Sequence, residues 1–407
     1  MLGYVIRALS VGLACASVAA GGNETIAMEL LPRQRDACYR PRPVPYFQPR
    51  QMILAKGSLD SPGSRAMIDG VCAAYPQARV TQRLDLPHNR IDLGNGDPLR
   101  RHETGKQTLV FGQHHSAVRR SEEQGNTCPN YWHFSPYGFC PYGCTYCYLA
   151  GTKGVWFSPT VKVFVNVEEI LSQVDRIARK LKTPTAFYLG KLQDALALDP
   201  LTGYSRVIVP FFANHSIARL TLLTKSANVG NLLDLDHNGH ATLSWSLNPQ
   251  SIWRLFEPGT PSPTERIRAM AMCAAAGYPV RAVIMPIIPD GDWRTAYQDL
   301  IDELLGTMQV ERITLGGLCS YDATLALTEA KLGRGSTLSQ ALRRGGGRSP
   351  DGRRRYAQSE RITLYRHLID AIRQQAPGTP ISLCLEERHV FAALGLVDNI
   401  GRCNCVL

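Results

Sequence analysis

Three cysteines stand close together in the segment Phe139-Cys140-Pro141-Tyr142-Gly143-Cys144-Thr145-Tyr146-Cys147-Tyr148-Leu149. Their C-x3-C-x2-C spacing lets one loop present three thiolates to three irons of a 4Fe–4S cube and leave the fourth iron open. A structural zinc site normally takes four ligands in paired sets, and no second pair lies nearby. A disulfide framework is typical of short secreted chains. We therefore predict that Cys140, Cys144 and Cys147 bind a 4Fe–4S cluster, with zinc and chance spacing as open alternatives.

This spacing, with Tyr146 directly before the last cysteine, is typical of the radical S-adenosylmethionine (radical SAM) enzymes. In those enzymes the open iron binds SAM, and one electron from the cluster cleaves it to a 5′-deoxyadenosyl radical. The expected cofactors are therefore a 4Fe–4S cluster and SAM. The expected protein partner is a low-potential electron donor of the flavodoxin or ferredoxin type.

Length and composition indicate an ordinary globular protein with a large core. The 407 residues can form two or three structural units, and 44% of them are hydrophobic. The formal net charge of +11 suggests a polyanionic partner, with DNA as the leading candidate and a merely basic enzyme as the alternative. After the N-terminus no run of apolar residues is long enough to cross a membrane, so we expect no membrane partner.

Residues 1–36 form an extension that resembles an export signal. Arg7 precedes the apolar run Ala8–Ala20, which contains the cleavage-like site Ser17-Val18-Ala19. Export would deliver an unfolded chain to an oxidising space, which suits neither cluster insertion nor the supply of low-potential electrons. We therefore expect a cytoplasmic protein whose extension is dispensable, with Met28 as the possible start. A cleaved signal is the second interpretation.

Alternating short apolar runs and amphipathic stretches predict an α/β fold. Residues 37–125 are interpreted as a small α/β unit and a linker, with a polar connection from Leu99 to Asn126. Two helix ends carry local signals: Asn166 with Glu169 resembles a capping box, and Gly277 stands where a C′ glycine ends a helix. From residue 126 onward six strands are predicted, namely Tyr131–Phe134, Ala186–Leu189, Leu220–Thr224, Thr242–Leu247, Val280–Ile287 and Ile313–Leu315.

Six strand–helix repeats are too few to close an eight-stranded barrel. We predict a partial (β/α)6 barrel over residues 126–320, open on one side for a bulky substrate. Residues 321–407 are expected to form a C-terminal extension. It would contain a mobile basic loop within Arg334–Arg361, a helix from about Glu360 to Gln374, a strand at Ile381–Leu385 and a cysteine-containing tail.

Chemistry in parallel barrels gathers at the carboxyl ends of the strands, and polar residues follow the predicted strands of this chain. The cluster cysteines follow the first strand. The residues at the ends of the other five are Gly190 to Asp194, Lys225, Ser246 with Asn248, Met285-Pro286, and Gly316 to Cys319. The pattern predicts one active site at this edge.

Several motifs together resemble the spore photoproduct lyase family of radical SAM enzymes. The resemblance covers residues 131–365 and, more loosely, the N-terminal unit. It rests on the segments Tyr146-Cys147-Tyr148-Leu149, Leu223-Thr224-Lys225, Leu243-Ser244-Trp245-Ser246-Leu247-Asn248, Phe256-Glu257-Pro258-Gly259-Thr260, Glu265-Arg266, Gly277-Tyr278-Pro279, Pro286-Ile287 and Arg354-Arg355-Tyr356. It implies a radical SAM partial barrel that acts on a thymine-dimer lesion in DNA, removes a hydrogen atom, fragments the methylene bridge and returns a hydrogen atom.

The resemblance also implies roles for particular residues. Lys225 and Ser246 would hold the SAM carboxylate, with Tyr146, Asp194 and Asn248 as further cofactor-binding residues. Tyr148 would lie on the path of the radical. Arg355 and Tyr356 resemble an Arg/Tyr pair on a hairpin that enters the DNA next to the lesion.

One departure from the family concerns the hydrogen donor. The repair enzymes of the family carry a cysteine shortly after the second strand, whereas this chain has about Lys191 there and no cysteine between Cys147 and Cys273. Cys319 is the best-placed alternative catalytic thiol, ahead of Tyr148 and the terminal cysteines. For Cys384, Cys403 and Cys405 an auxiliary cluster or metal, reduced structural thiols and a redox role all remain open.

Three functions follow from these observations. The first is a radical SAM lyase that repairs a thymine-dimer lesion in DNA. The second is a radical SAM enzyme of the same lineage with another substrate, such as a peptide, an RNA or a small molecule, which the missing cysteine favours. The third is a non-catalytic iron–sulfur or zinc protein that binds nucleic acid.

Overall fold

A computed structural model describes residues 39–94, 96–345 and 347–407. The N-terminal extension, with its signal-like segment and Met28, therefore lies outside the described residues. Within them, no helix combines the length and the apolar character that crossing a lipid bilayer requires.

The described residues contain fifteen strands, numbered in chain order. They are β1 (Gln51–Ala55), β2 (Arg79–Arg83), β3 (Thr108–Gly112), β4 (Val118–Ser121), β5 (Tyr131–Phe134), β6 (Tyr137–Gly138), β7 (Val161–Phe164), β8 (Thr185–Leu189), β9 (Ala218–Thr224), β10 (Ala241–Ser246), β11 (Val280–Ile287), β12 (Arg312–Gly317), β13 (Cys319–Ser320), β14 (Arg354–Arg355) and β15 (Ile381–Leu383).

Thirteen α-helices accompany these strands in the same part of the chain. They are α1 (Pro62–Ala74), α2 (Pro98–Lys106), α3 (Lys153–Phe157), α4 (Val167–Ala178), α5 (Asp199–Thr202), α6 (Ser205–Ala213), α7 (Gln250–Phe256), α8 (Pro263–Ala275), α9 (Trp293–Thr307), α10 (Asp322–Leu332), α11 (Thr337–Arg344), α12 (Gln358–Gln375) and α13 (Arg388–Ala393).

The larger sheet has eight strands in the order β15-β12-β11-β10-β9-β8-β5-β4. Seven neighbouring strands are parallel, and β4 pairs antiparallel with β5 at one edge. The two edge strands, β15 and β4, do not pair with each other in the described residues, so the sheet stays open. The predicted α/β class with an open parallel barrel is confirmed, and β15 adds a seventh parallel strand to the six that the sequence indicates.

A second sheet has the order β2-β1-β3-β7-β6. Its strands β1, β2, β3 and β7 are parallel, and β6 runs antiparallel to β7. Because β6 and β7 flank the cysteine loop in the chain, this sheet holds both ends of that loop.

Local sequence accounts for the helix ends that frame the larger sheet. At α8, Ser262 and Glu265 form a reciprocal capping box ahead of Pro263, and Gly277 follows the last turn at φ 89°. The predicted C′ role of Gly277 is confirmed. Asn166 precedes α4 as predicted, but its side chain accepts from the His114 backbone N–H and makes no cap to the helix.

The interpretation of Leu99 to Asn126 as a polar connection is wrong. This segment contains most of α2 and all of β3 and β4, and every residue of β3 is buried. The apolar run of β3 is only Leu109-Val110-Phe111, and the polar residues around it hide its strand signal. Parallel pairing with β1 and β7 gives β3 a stability that its own length does not.

The prediction of one mobile basic loop within Arg334–Arg361 is also wrong. Helix α11 occupies part of it, and β14 pairs antiparallel with β13. The Arg side chains of the segment are engaged: Arg343 pairs with Glu329, and Arg354 pairs with Asp322. Carboxylates from α10 therefore order a stretch whose own composition favours disorder.

Candidate active site

A cavity of about 240 Å³ opens at the carboxyl ends of the parallel strands. Most of the residues that the sequence indicated as site residues line it. Those residues are Cys140, Cys144, Tyr146, Cys147, Tyr148, Asp194, Lys225, Ser246 and Cys319. Asn248, Arg355 and Tyr356 are not among the lining residues.

The cysteine loop is fixed from two sides by its backbone. The amides of Gly143 and Thr145 donate to the carbonyl oxygens of Pro258 and Phe256, at 3.0 and 2.9 Å. On the other side, Thr328 on α10 donates its hydroxyl to the Thr145 carbonyl at 2.7 Å. A Cβ at position 143 would approach the Pro258 carbonyl oxygen to 3.0 Å, so the close docking of the loop favours glycine there.

Lys106 is a loop-positioning residue that the sequence did not reveal. Its ammonium donates to the carbonyls of Cys140 and Tyr142, the latter at 2.7 Å, and lies 3.6 Å from the centroid of the Phe139 ring. A lysine at the end of a short polar helix has no sequence signal of its own. Its role depends on α2 packing next to the loop.

The three thiols of the loop fit the predicted cluster. All three are half-buried on one cavity wall, and burial raises the pKa of the Cys144 thiol to about 12. Iron binding would displace such a proton. Within the described residues no group of three or more His, Cys, Asp or Glu side chains is arranged around a single metal ion. Each thiolate of a 4Fe–4S cluster binds a different iron, so the sulfurs of such a site lie farther apart than around one ion.

A fully buried ion pair, Glu257 with Arg266, lies behind this wall. The Arg266 Nη2 is 2.5 Å from Glu257 Oε2, and both side chains are completely inaccessible to solvent. Burial opposes ionisation of Glu257, but the Arg266 guanidinium and the Lys225 ammonium outweigh it and hold the pKa of the carboxyl below its usual range. The carboxylate is therefore charged at neutral pH. Neither residue was assigned a role from the sequence, because nothing in the nine-residue separation indicates an ion pair.

This ion pair positions Lys225 at the cavity surface. The Lys225 ammonium lies 3.4 Å from Glu257 Oε1, donates to the Ser246 hydroxyl and stands 5.7 Å from the centroid of the Tyr146 ring. Tyr146 in turn donates its hydroxyl to Glu257. The ammonium and the hydroxyl of Ser246 can bind a carboxylate that enters the cavity.

Asp194 and Asn248 support the site from behind. The Asp194 carboxylate accepts hydrogen bonds from the Thr224 hydroxyl at the end of β9 and from the Lys225 backbone amide, both at 2.6 Å. It also accepts from the backbone amides of Leu196 and Ala197. Asn248 is fully buried, donates to Glu257 at 2.8 Å and accepts from Tyr297 at 3.1 Å. Both side chains position Lys225 and Glu257, and their polar groups are already engaged by the protein.

A network of charges forms the rim. Lys191 donates to Glu123 at 2.8 Å, and Arg353 donates to the second oxygen of the same carboxylate at 2.8 Å. Tyr131 donates to Glu123 at 3.0 Å, and Tyr148 donates to the Lys191 carbonyl at 3.1 Å. The rim therefore presents two cations that share one carboxylate.

The predicted substrate-contacting pair, Arg355 and Tyr356, lies away from the cavity. Tyr356 is fully buried and finds no hydrogen-bond partner for its hydroxyl among the described residues. Arg355 is 5% exposed and donates to Asn126 at 2.7 Å. Arg353, directly before β14, does line the cavity. Arg355, which pairs with Cys319 of β13, and Tyr356 after it are buried.

The far wall of the cavity carries further thiols. Cys319 lies there as predicted, and four other cysteines join it, Cys128, Cys384, Cys403 and Cys405. No spacing in the sequence connects Cys128 with the other three. Their convergence results from the fold of the C-terminal tail onto the sheet.

Comparison with known proteins gives one consistent family. A family model described as spore photoproduct lyase matches residues 47–315. The spore photoproduct lyase of Bacillus subtilis (strain 168) is 29% identical over 262 residues, which are 63% of this chain and 73% of that relative. The spore photoproduct lyase of Geobacillus sp. (strain Y412MC61) is 31% identical over 247 residues, 60% of this chain and 70% of the relative.

Solved structures agree on the fold. A spore photoproduct lyase complexed with dinucleoside spore photoproduct superposes with a TM-score of 0.73 at 23% identity, covering 83% of this chain and 99% of that one. A mutant spore photoproduct lyase with bound AdoMet and dinucleoside spore photoproduct gives a TM-score of 0.72 at 23% identity, covering 82% and 98%. At this level of identity the likeness establishes the fold alone.

Proposed function

The chain belongs to the spore photoproduct lyase family and is a lyase-type enzyme, and from this premise we propose that it is a radical SAM enzyme that repairs a thymine-dimer lesion in DNA. The observation that carries the proposal is the shared cavity. One wall holds the thiols of Cys140, Cys144 and Cys147, and the adjoining wall holds Lys225 and Ser246.

The residues on these walls suit both cofactors. The three thiolates would bind a 4Fe–4S cluster, while Lys225 and Ser246 would hold the carboxylate of SAM. When bound, the cluster and SAM supply a carbon-centred radical that can remove a hydrogen atom from an unactivated C–H bond. Lys106 and the Phe256–Pro258 turn keep the cysteine loop in place, and Glu257 keeps the Lys225 side chain directed to the cavity.

A DNA lesion as substrate is supported by the charge and the walls of the site. The chain carries a net charge of +11, and Lys191 and Arg353 at the rim can meet a phosphate if both leave their shared partner Glu123 and Arg353 also leaves Asp351. Tyr131 and Tyr188 line the cavity and offer aromatic surface to bases that leave the duplex stack. The family relative whose structure contains dinucleoside spore photoproduct adds direct support for this class of ligand.

The sequence predicts a part in hydrogen transfer for Tyr148 and Cys319. Both line the cavity, and the Tyr148 hydroxyl is held by the Lys191 carbonyl. Burial raises the pKa of the Tyr148 phenol, so this side chain keeps its hydrogen at neutral pH. A phenol O–H and a thiol S–H are both weaker than most C–H bonds and can pass a hydrogen atom to a carbon radical.

The test is anaerobic turnover of reconstituted protein with SAM, dithionite and DNA that contains spore photoproduct. Repaired thymine and 5′-deoxyadenosine are measured together, with Cys140→Ala as the negative control. Repair that disappears in the control supports the proposal. Formation of 5′-deoxyadenosine without loss of the lesion would retain the radical chemistry and reject this substrate. Neither product, from protein with a full complement of iron, would reject the enzymatic proposal.

Lys191 favours a second candidate, radical SAM chemistry on another substrate. At the position where the sequence resemblance expects a thiol, this chain places a cation paired with Glu123. A cation there suits an anionic group of a peptide, an RNA or a small molecule as well as a DNA phosphate. Turnover of SAM that is stimulated by RNA and not by damaged DNA would favour this candidate.

A further inference from the structure

Four cysteines from three distant segments meet on the far wall of the cavity. Cys128 precedes β5, Cys384 directly follows β15, and Cys403 and Cys405 belong to the C-terminal tail. They face the same space as the three thiols of the cysteine loop. The cavity therefore has thiols on two of its walls.

The tail is anchored as part of the cavity wall. Arg312 donates to the Cys403 carbonyl at 3.0 Å, and Arg281 donates to the Val406 carbonyl at 2.6 Å. Ser244 donates to the Asn404 side chain at 2.8 Å. These three donors come from the neighbouring parallel strands β10, β11 and β12, and two of them are charged, which strengthens their hydrogen bonds. The positions of Cys403 and Cys405 are therefore set by the sheet.

The tail thiols contact one another in a row. Cys403 is hydrogen-bonded through its sulfur to both Cys128 and Cys405. Sulfurs in direct contact cannot each bind a different iron of one cube, so this arrangement suits reduced thiols better than a second 4Fe–4S cluster. Cys405 and Cys128 are half-buried, whereas Cys403 between them is buried.

Cys405 lies next to the first two parallel strands, β5 and β8. It interacts electrostatically with Tyr131 on β5, Tyr188 on β8 and Lys191 just after β8. Position 191 is where the sequence lacks the expected thiol. The tail thus returns a thiol to that corner of the cavity from the other end of the chain.

We propose that Cys405 is the catalytic thiol that returns a hydrogen atom to the substrate-derived carbon radical. This inference rests on the proposed function, because it needs a carbon radical in the cavity. In the step the S–H bond of Cys405 breaks homolytically, a C–H bond forms on the product, and the unpaired electron stays on the sulfur. Cys403 then gives its hydrogen atom to the Cys405 sulfur, which moves the unpaired electron to the Cys403 sulfur. A small-molecule thiol reductant gives a hydrogen atom to the Cys403 sulfur and carries the unpaired electron away.

The protonation of Cys405 is consistent with this role. The hydrogen bond with Cys403 favours the thiolate, but burial and the neighbouring thiols outweigh it and raise the pKa of Cys405. The sulfur therefore carries a hydrogen atom at neutral pH. Burial raises the pKa of Cys319 as well, so this thiol also keeps its hydrogen, but it is buried and its sulfur is hydrogen-bonded to Arg353, whereas Cys405 is half-buried.

The experiment compares Cys405→Ser with Cys319→Ser and with Cys72→Ser, whose residue on α1 lies outside the cavity. Serine keeps the volume, but its O–H bond is too strong to give up a hydrogen atom. Turnover is run in deuterium oxide, where thiols exchange their hydrogen. We expect wild type and Cys72→Ser to give thymine that gains one deuterium, and retained labelling in Cys319→Ser would assign the step to Cys405 and not to Cys319. We expect Cys405→Ser to consume the lesion and form 5′-deoxyadenosine, while its yield of repaired thymine falls by about tenfold or more.

Each other outcome overturns the inference. Full repair and labelling by Cys405→Ser, or loss of both in Cys319→Ser, would place the donor elsewhere. Loss of iron from reconstituted Cys405→Ser, relative to wild type, would show that the tail binds metal. Wild type that leaves the lesion intact would reject the proposed function itself, so the two failures are distinguishable.

A second readout does not need turnover. In the protein without cluster, dinucleoside spore photoproduct is expected to slow alkylation of Cys405 by iodoacetamide, as followed by mass spectrometry. Alkylation of Cys72 in the same samples is expected to be unchanged. Equal alkylation of Cys405 with and without the dinucleoside, in a protein that repairs the lesion, would mean that this thiol does not touch the substrate.

Discussion

Two groups of thiols face each other across one cavity, and they differ in how the chain builds them. Cys140, Cys144 and Cys147 belong to a single loop, so their spacing is visible in the sequence. On the far wall, Cys128 comes from the segment before β5, Cys384 from the end of β15, and Cys403 and Cys405 from the tail, and only the fold brings them together beside Cys319. A contiguous motif indicates its chemistry directly, whereas an assembled group depends on every contact that positions it. Substitutions in the cysteine loop and on the far wall test whether the two groups of thiols have different functions.

The largest expected effect is the loss of bound iron, which should occur when a cysteine of the loop is replaced and not when a cysteine of the tail is replaced. Cys140→Ala is expected to lose most of the cluster iron and to lower the rate of SAM cleavage by about a thousandfold or more, because a cluster ligand is removed. Cys403→Ser is expected to keep the iron of the wild type. Iron analysis, the visible absorbance of the cluster and formation of 5′-deoxyadenosine give the answer. Equal iron loss in both variants would contradict the assignment of the cluster to the cysteine loop alone.

The next effect concerns the buried carboxylate behind the cysteine loop. Glu257→Gln is expected to lower the free energy of unfolding by about 3–5 kcal/mol, because Arg266 stays buried without its partner. Asp85→Asn, which removes the partner of the exposed Arg83, should change the stability far less, because water screens this pair. Urea denaturation of the proteins without cluster measures both. A small effect of Glu257→Gln would show that the ion pair positions Lys225 without stabilising the fold.

The same carboxylate predicts a dependence on pH. Its pKa is lower in the folded than in the unfolded protein, so its contribution is complete above the unfolded pKa and is lost as the pH falls towards the folded one. The difference in stability between wild type and Glu257→Gln should be constant above about pH 5 and shrink below about pH 4, where unfolded glutamate takes up protons. A difference that grows in acid would have the wrong sign for this mechanism.

Lys225→Met tests the wall next to the cysteine loop without disturbing the loop itself. Loss of one charge-assisted hydrogen bond is expected to weaken SAM binding by about 10- to 100-fold, since such a bond is worth about 1.5–3 kcal/mol. The exposed Lys182→Met serves as the control of equal charge change. Calorimetric titration of SAM into anaerobic, iron-replete protein measures the affinity. Unchanged affinity with unchanged iron would remove Lys225 from the SAM site.

Sequence reasoning succeeded where a signal was local. The six parallel strands lie within two residues of their predicted ends, because each is an apolar run bounded by turn residues. The parallel order of the strands then brought Lys225, Ser246 and the cysteine loop to one edge. Their presence in one cavity follows from topology that the alternation of strands and helices already indicated.

It failed where a side chain's role depends on a distant partner. Glu257 and Arg266 belong to the motifs that resemble the family, but the sequence assigned no role to either residue. Lys106 lies in the segment that was interpreted as a connection. The role of Tyr356 at the DNA stays a prediction, and the structure buries its ring directly after β14. None of these contacts is encoded in a spacing. Cys128 is the clearest example, since its partners follow it by more than half of the chain.

The smallest expected effect concerns the anchoring of the tail, on which the second group depends. Arg312→Met removes the donor to the Cys403 carbonyl and is expected to cost about 1–3 kcal/mol, because that buried carbonyl loses its partner. Arg219→Met is the matched control, since the guanidinium of Arg219 on β9 also donates to backbone carbonyls, those of His215 and Ala218, and none of these belongs to the tail. Cys403 should become alkylated by iodoacetamide faster in Arg312→Met than in Arg219→Met or wild type, while iron binding by the cysteine loop is retained. If alkylation of Cys403 were unchanged, the tail would be held by the packing of its side chains, and Cys405 would keep its place without help from the strands beneath it.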